Sequence, residues 1–143
     1  MPTLGYFFCA EAVTGEGQPP ATVMTVKQPF ATLAPRYVPG LYTFAIVGAI
    51  TDVDQRRPHS VAITMHGPDG DEVARTNPNI EVAPTDRNDP VTSFSFAILL
   101  GNIEFKSAGV YRVDAFLDGQ EPPIGTLSLP VWGQNDPTAF RRG

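Results

Sequence analysis

From Val110 to Asp118 the chain alternates, with Tyr111, Val113, Ala115 and Leu117 on one side and Arg112, Asp114, Phe116 and Asp118 on the other. That two-residue period is the mark of a strand with one buried face. Asp118-Gly119 then opens a turn, Pro122-Pro123 cannot continue a strand interior, and Leu127, Leu129 and Val131 alternate with Thr126, Ser128 and Pro130. The segment reads as a hairpin with one apolar side. The same pattern along the rest of the chain predicts eight strands: Tyr6 to Val13, Thr22 to Lys27, Leu41 to Val53, His59 to His66, Glu72 to Val82, Val91 to Phe105, Val110 to Asp118 and Thr126 to Trp132. Turn chemistry falls between them, at Gly15-Glu16-Gly17, Gly67-Pro68-Asp69-Gly70 and Asn88-Asp89-Pro90. Asn77-Pro78 is expected to split or bend the fifth strand, because proline removes a ladder donor. Pro29 to Pro39, with three prolines, reads as a connection that crosses from one sheet to the other. No segment carries helical periodicity, and no internal repeat is visible.

These 143 residues suit one domain with a single core. The 15 prolines and 13 glycines lie between short apolar runs, so they punctuate strands. The expected fold class is therefore all-β, a two-sheet antiparallel sandwich of about eight strands over residues 1–132, followed by a polar tail, 133–143, whose apolar anchor is Phe140. A net charge of −5 provides no field to recruit nucleic acid or an anionic membrane. The single cysteine, Cys9, allows no intrachain disulfide and leans towards a reducing compartment. The opening MPTLGYFFCAEAV has no basic flank and is interrupted by Glu11, a poor signal peptide, and no run approaches a membrane span. A soluble, cytoplasmic protein is expected.

Ser107-Ala108-Gly109-Val110-Tyr111-Arg112-Val113 resembles the tyrosine corner of immunoglobulin-like domains, in which a tyrosine opening the penultimate strand bonds back to the backbone. Val113 stands where antibody domains carry a cysteine, and no tryptophan lies in the earlier strands, so the resemblance implies an immunoglobulin-like sandwich outside the antibody type. The opening around Tyr6 and Glu11, the Arg57-Pro58-His59 entry to a strand and the chain length are similar to an uncharacterised family of small bacterial proteins. That likeness implies the fold and a bacterial origin, and no activity for any residue.

Candidate chemistry is sparse. His59 and His66, seven apart on one strand, face opposite ways and cannot chelate together; Asp69-Gly70-Asp71-Glu72 lacks the ligand spacing of a calcium loop and reads as a turn. Cys9 lies in an apolar strand, where a thiol is buried and inert. No Gly-x-Ser-x-Gly elbow or phosphate-binding glycine loop occurs, and His59-Ser60 are strand neighbours that face apart. Asp52 and Asp54 share a face at a strand end, but Arg56 and Arg57 follow at once, which reads as a charge-balanced turn. No catalytic residue, metal or cofactor is expected.

The faces are more informative. The resemblance to immunoglobulin-like domains implies that the His59, Val110 and Thr126 strands share a sheet, with Val61, Ile63, Met65, Tyr111, Val113, Leu117, Leu127, Leu129 and Val131 inside. Outside it, Phe116 and Trp132 beside Arg112 and Asp114 have the aromatic and arginine composition of binding hot spots. The other sheet reads as apolar on both sides, so something must cover it: either the chain's own Thr22–Pro39 or another subunit meeting an interface at Phe7, Val47 and Leu99. The expected function is non-enzymatic, a protein-interaction or structural subunit of a bacterial or phage-type assembly, with a protein partner or self-association. The alternative is a sandwich that binds a small carbohydrate or lipid, and behind it an enzyme using loop acids such as Asp52, Asp54, Asp86 and Asp89.

Overall fold

The computed structural model describes residues 2–16, 23–35, 37–54, 56–76, 79–82, 84 and 93–134. Nine strands run through them: β1 (Thr3–Glu16), β2 (Val23–Phe30), β3 (Gly40–Thr51), β4 (His59–His66), β5 (Glu72–Arg75), β6 (Ile80–Val82), β7 (Ser93–Phe105), β8 (Gly109–Leu117) and β9 (Gly125–Val131). They form two antiparallel sheets, one in the order β2-β1-β3-β7, the other β5-β4-β8-β9 with β6 also paired to β4. β1, β3 and β7 facing β4, β8 and β9 is the immunoglobulin-like arrangement, with β2 as an additional edge strand.

The ninth strand comes from the fifth predicted segment, which divides in two. Thr76 leaves the ladder and is buried, its hydroxyl accepting from Ile63 N at 3.1 Å while its own N donates to the Ile63 carbonyl at 2.9 Å. One residue thus bridges β5 and β6 along β4. Asn77-Pro78, named for this break, and the Asn88-Asp89-Pro90 turn lie outside the described residues. β1 and β2 extend beyond their predicted ends to Glu16 and Phe30, since cross-strand pairing carries a hairpin further than its apolar residues require.

The crossing expected between Pro29 and Pro39 is present. After β2 the chain leaves the first sheet and Leu33 bridges β9 in parallel, its N donating to Pro130 O at 2.9 Å and its O accepting from Trp132 N at 3.1 Å. Gln134 binds the same segment through Pro35 O and Ala34 O.

The core lies between the sheets. Val61, Ile63, Met65, Tyr111, Val113, Leu129 and Val131 from the second sheet meet Cys9, Phe44, Ile46, Ile50, Phe94, Phe96 and Phe105 from the first. Tyr111 forms the tyrosine corner, its hydroxyl donating to Ser107 O at 2.8 Å and its ring meeting Phe105 edge-on at 5.0 Å. Burial pushes the Cys9 thiol up to about 12, which keeps it protonated and inert.

Candidate functional site: the outer faces of the two sheets

The middle of the outer face of the second sheet is polar, between the Val110–Pro130 row, with Val110 51% exposed, and Phe116 opposite Ala62. The register sets Arg75, Thr64, Asp114 and Thr126 in one row across four strands. Glu72, His66, Arg112 and Ser128 form the next. Charges pair along it: Arg75 Nε donates to Glu72 Oε2 at 2.8 Å, which lowers the Glu72 pKa, and Arg112 Nε donates to Asp114 Oδ2 at 3.0 Å. Thr64 Oγ1 and His66 Nδ1 are buried within this belt without a hydrogen-bond partner.

Asp114, placed by the sequence on an open surface, is 4% exposed and also accepts from Thr126 Oγ1 at 2.8 Å, so its carboxylate is occupied within the protein. Phe116 and Trp132 share this outer side but not a patch. Phe116 lies opposite Ala62, near the β8–β9 turn, whereas Trp132 follows β9, beyond the Gly109–Val131 pair. The ladder separates them by roughly 27 Å at about 3.4 Å per residue. Counting parity placed both on one face; the register places them at its two ends. Phe140 lies outside the described residues.

The outer face of the first sheet is different in kind. Tyr6, Phe8, Ala10 and Ala12 from β1, Leu41, Ala45, Val47 and Ala49 from β3, and Ser95, Ala97 and Leu99 from β7 share it. Tyr6, Ala49 and Ser95 form one row, and the tyrosine lies across the small central residue to meet Ser95 Oγ at 2.9 Å. Ala49 is 7% exposed as a result, and Val47 in the next row, between Phe8 and Ala97, is fully buried. Leu99 and Leu41 stand out, 61% and 65% exposed.

Of the three interface residues read from the sequence, Leu99 is therefore a surface residue of this face and Val47 forms its floor. Phe7 belongs to the opposite side: it shares a row with Gly48 and Phe96, with ring centroids of Phe7 and Phe96 6.4 Å apart in the core. Tyr6-Phe7-Phe8-Cys9 is apolar throughout, so alternation there has no contrast to read. The described part of Thr22–Pro39 does not cover the face either. β2 lengthens the sheet at its edge, Phe30 packs on Phe44 at 6.0 Å inside, and Leu33 is buried against β9. Tyr6, Phe8 and Leu41 are the members of the face that the sequence reading did not select.

At one end of the sandwich, Arg57, His59, Ser60, Glu81, Asp118 and Gln120 line a cleft of about 460 Å³. His59 is held on both nitrogens, Nδ1 at 2.8 Å from Asp118 Oδ2 and Nε2 at 2.6 Å from the Asp54 carbonyl. Both partners are acceptors, so only the protonated ring donates to both at once. Burial alone would lower its pKa, but the Asp118 hydrogen bond and then the Asp54 carbonyl outweigh it and raise the value. His59 also stacks on Phe94, while His66 faces the other way, as their odd spacing implied. Asp54 is bound by Arg56 N at 3.0 Å and Arg56 Nε at 3.3 Å, which lower its pKa and leave it ionised, a poor proton donor. Asp86 and Asp89 are outside the described residues.

A second cleft, about 550 Å³, lies beside Tyr111 between the β4–β5 turn and the end of β7, with Asp69, Asp71, Glu72, Glu104 and Lys106 on its walls. The Asp69–Glu72 segment is the expected turn, closed by Gly70 N to Gly67 O at 3.0 Å with Gly70 at φ 91°. Among the described residues no three His, Cys, Asp or Glu side chains are placed to hold a metal ion. No described helix is long and apolar enough to cross a membrane.

No functionally curated protein matches the chain. Among solved structures it is similar to an immunoglobulin-like protein from Pseudomonas aeruginosa, with 12% identity over 92% of this chain and 97% of that one and a TM-score of 0.43. Residues 5–131, from the start of β1 to the end of β9, match a family of unknown function, DUF6941, and the chain belongs to that family.

Proposed function

We propose that this protein is a non-enzymatic interaction module that docks a protein partner through the outer face of its first sheet, as a subunit of a bacterial cytoplasmic or phage-type assembly. One observation carries the reading. Three large apolar side chains with substantial exposure, Tyr6 at 41%, Leu41 at 65% and Leu99 at 61%, stand on this single face, with Phe8 and Ala97 among them. The outer face of the second sheet carries one such side chain, Val110 at 51%, beside paired charges. Removing these exposed side chains from water against a partner yields about 25 cal/mol per Å² of apolar surface.

Crosslinked capture in the native host tests it, comparing wild type with Leu99→Glu and with Phe116→Ser on the other sheet. Loss of a stoichiometric partner in Leu99→Glu, with Phe116→Ser unaffected and both variants melting near wild type, is the expected result. Equal capture by wild type and Leu99→Glu would count against the docking face.

A further inference from the structure

We infer that the occupant of this face is a second copy of the chain, packed sheet on sheet about a two-fold axis that runs along the strands between β1 and β3; the inference rests on the docking role proposed for that face. Among its described side chains the charges are Lys27 on β2 and Glu104 on β7, at opposite edges of the sheet. They lie at nearly the same height. Lys27 faces Ala12, two positions beyond the Ala10–Ala45 pair towards Thr43, and Glu104 faces Leu41.

A two-fold axis along the strands exchanges the two edges. It sets Lys27 of each copy over the other's β7, about two residues or roughly 7 Å along the strand from Glu104, a gap that the two long side chains span. The ion pair therefore forms twice. The same rotation lays Leu99 over the second copy's Pro29, because Pro29, Ala10, Ala45 and Leu99 make one continuous row across the sheet. Both Pro29 and Leu99 are exposed in the single chain. A two-fold axis across the strands would bring Glu104 towards the Ser93 end and leave both charges without a partner, so the charges select the first arrangement.

Ala10, Ala45 and Val47 are fully buried and Ala49 is 7% exposed within the single chain, so the contact is carried by the exposed side chains around them, Tyr6, Pro29, Leu41 and Leu99. Two sheets packed face to face at about 10 Å with nearly aligned strands are an ordinary protein packing.

Sedimentation of the purified full-length chain across a concentration series tests the inference. Wild type is expected to show a monomer–dimer equilibrium, Leu99→Glu to raise its dissociation constant at least about tenfold, and Lys27→Glu to raise it about three- to tenfold. Combining Lys27→Glu with Glu104→Lys is expected to restore it to within about threefold of wild type, because the ion pair is rebuilt with its signs exchanged. The two edge positions are exposed, so these variants report on association even if Leu99→Glu perturbs folding. A chain that stays monomeric, or a dimer indifferent to all the substitutions, would overturn the second copy as occupant. A monomer whose Leu99→Glu variant still loses a captured partner leaves the docking face standing, whereas a monomer with unchanged capture removes both.

Discussion

Gly48→Val is expected to destabilise the fold by about 2–3 kcal/mol, the usual cost of forcing extra atoms into a packed core. Gly48 lies between Phe7 and Phe96 in one row of the first sheet, on its inner side. A Cβ at this position would fall against the Phe96 ring, 2.8 Å from one ring carbon and closer still to another. The ring cannot swing away, since Phe96 is 3% exposed and already packed against Phe7. Valine ordinarily favours a strand, so propensity alone predicts the opposite sign. Urea unfolding separates the two: Gly48→Val should lower the midpoint clearly, and Phe96→Leu in the same chain should recover part of the loss. Gly101→Ala, where a Cβ meets nothing within 4 Å, is the control and should stay within about 0.5 kcal/mol of wild type. An unchanged midpoint for Gly48→Val would show that the inner face is packed differently.

The second large effect belongs to His59, and it depends on pH. The ring joins the β3–β4 connection at Asp54, the start of β4 and the end of β8 at Asp118, and it stacks on Phe94 of the opposite sheet. Its side chain is 11% exposed. Asp118 holds the arrangement from the other side, accepting from Ser60 N at 2.9 Å and donating its own N to Ser60 O at 2.8 Å. His59→Ala leaves the Asp54 carbonyl and one Asp118 oxygen short of a donor and is expected to cost about 1–3 kcal/mol at pH 6. Because the folded pKa is raised, the stabilisation from the charged ring is fully present below the unfolded value near 6.5 and is lost as pH rises through the folded value. Wild type should therefore lose stability as the solution is made mildly alkaline, and His59→Gln should flatten that slope. Parallel slopes for the two proteins, followed by urea unfolding over pH 6 to 9, would mean that the ring is neutral in the folded state.

The legible parts of this fold were those where burial leaves a contrast. β4, β8 and β9 each set apolar against polar residues, so their inner faces follow from that alternation, while their shared sheet and the tyrosine corner follow from the immunoglobulin-like resemblance of Ser107–Val113. The division of the fifth predicted strand and the crossing after β2 were legible through proline, although Pro29 and Pro130 themselves stand inside paired strands. The first sheet was readable only as apolar on both sides. In Tyr6-Phe7-Phe8-Cys9 each parity is equally hydrophobic, so alternation alone does not tell that Phe8 faces outward and Phe7 inward. Pairing partners are another quantity that local pattern does not hold. Phe116 and Trp132 have the parity of one face, yet only the antiparallel register reveals that they stand at its opposite ends. Nor does spacing disclose the His59–Asp118 contact, 59 residues apart along the chain.

Photo-crosslinking in the native host tests the docking face most directly. A photoreactive phenylalanine analogue placed at Leu99, and separately at Arg112 on the charged outer face of the second sheet, samples both sides of the sandwich from exposed positions. A discrete protein adduct from position 99, whether with a second copy or another chain, and none from position 112 is the predicted result. An adduct from position 112 with none from position 99 would place the partner on the charged face and contradict the assignment.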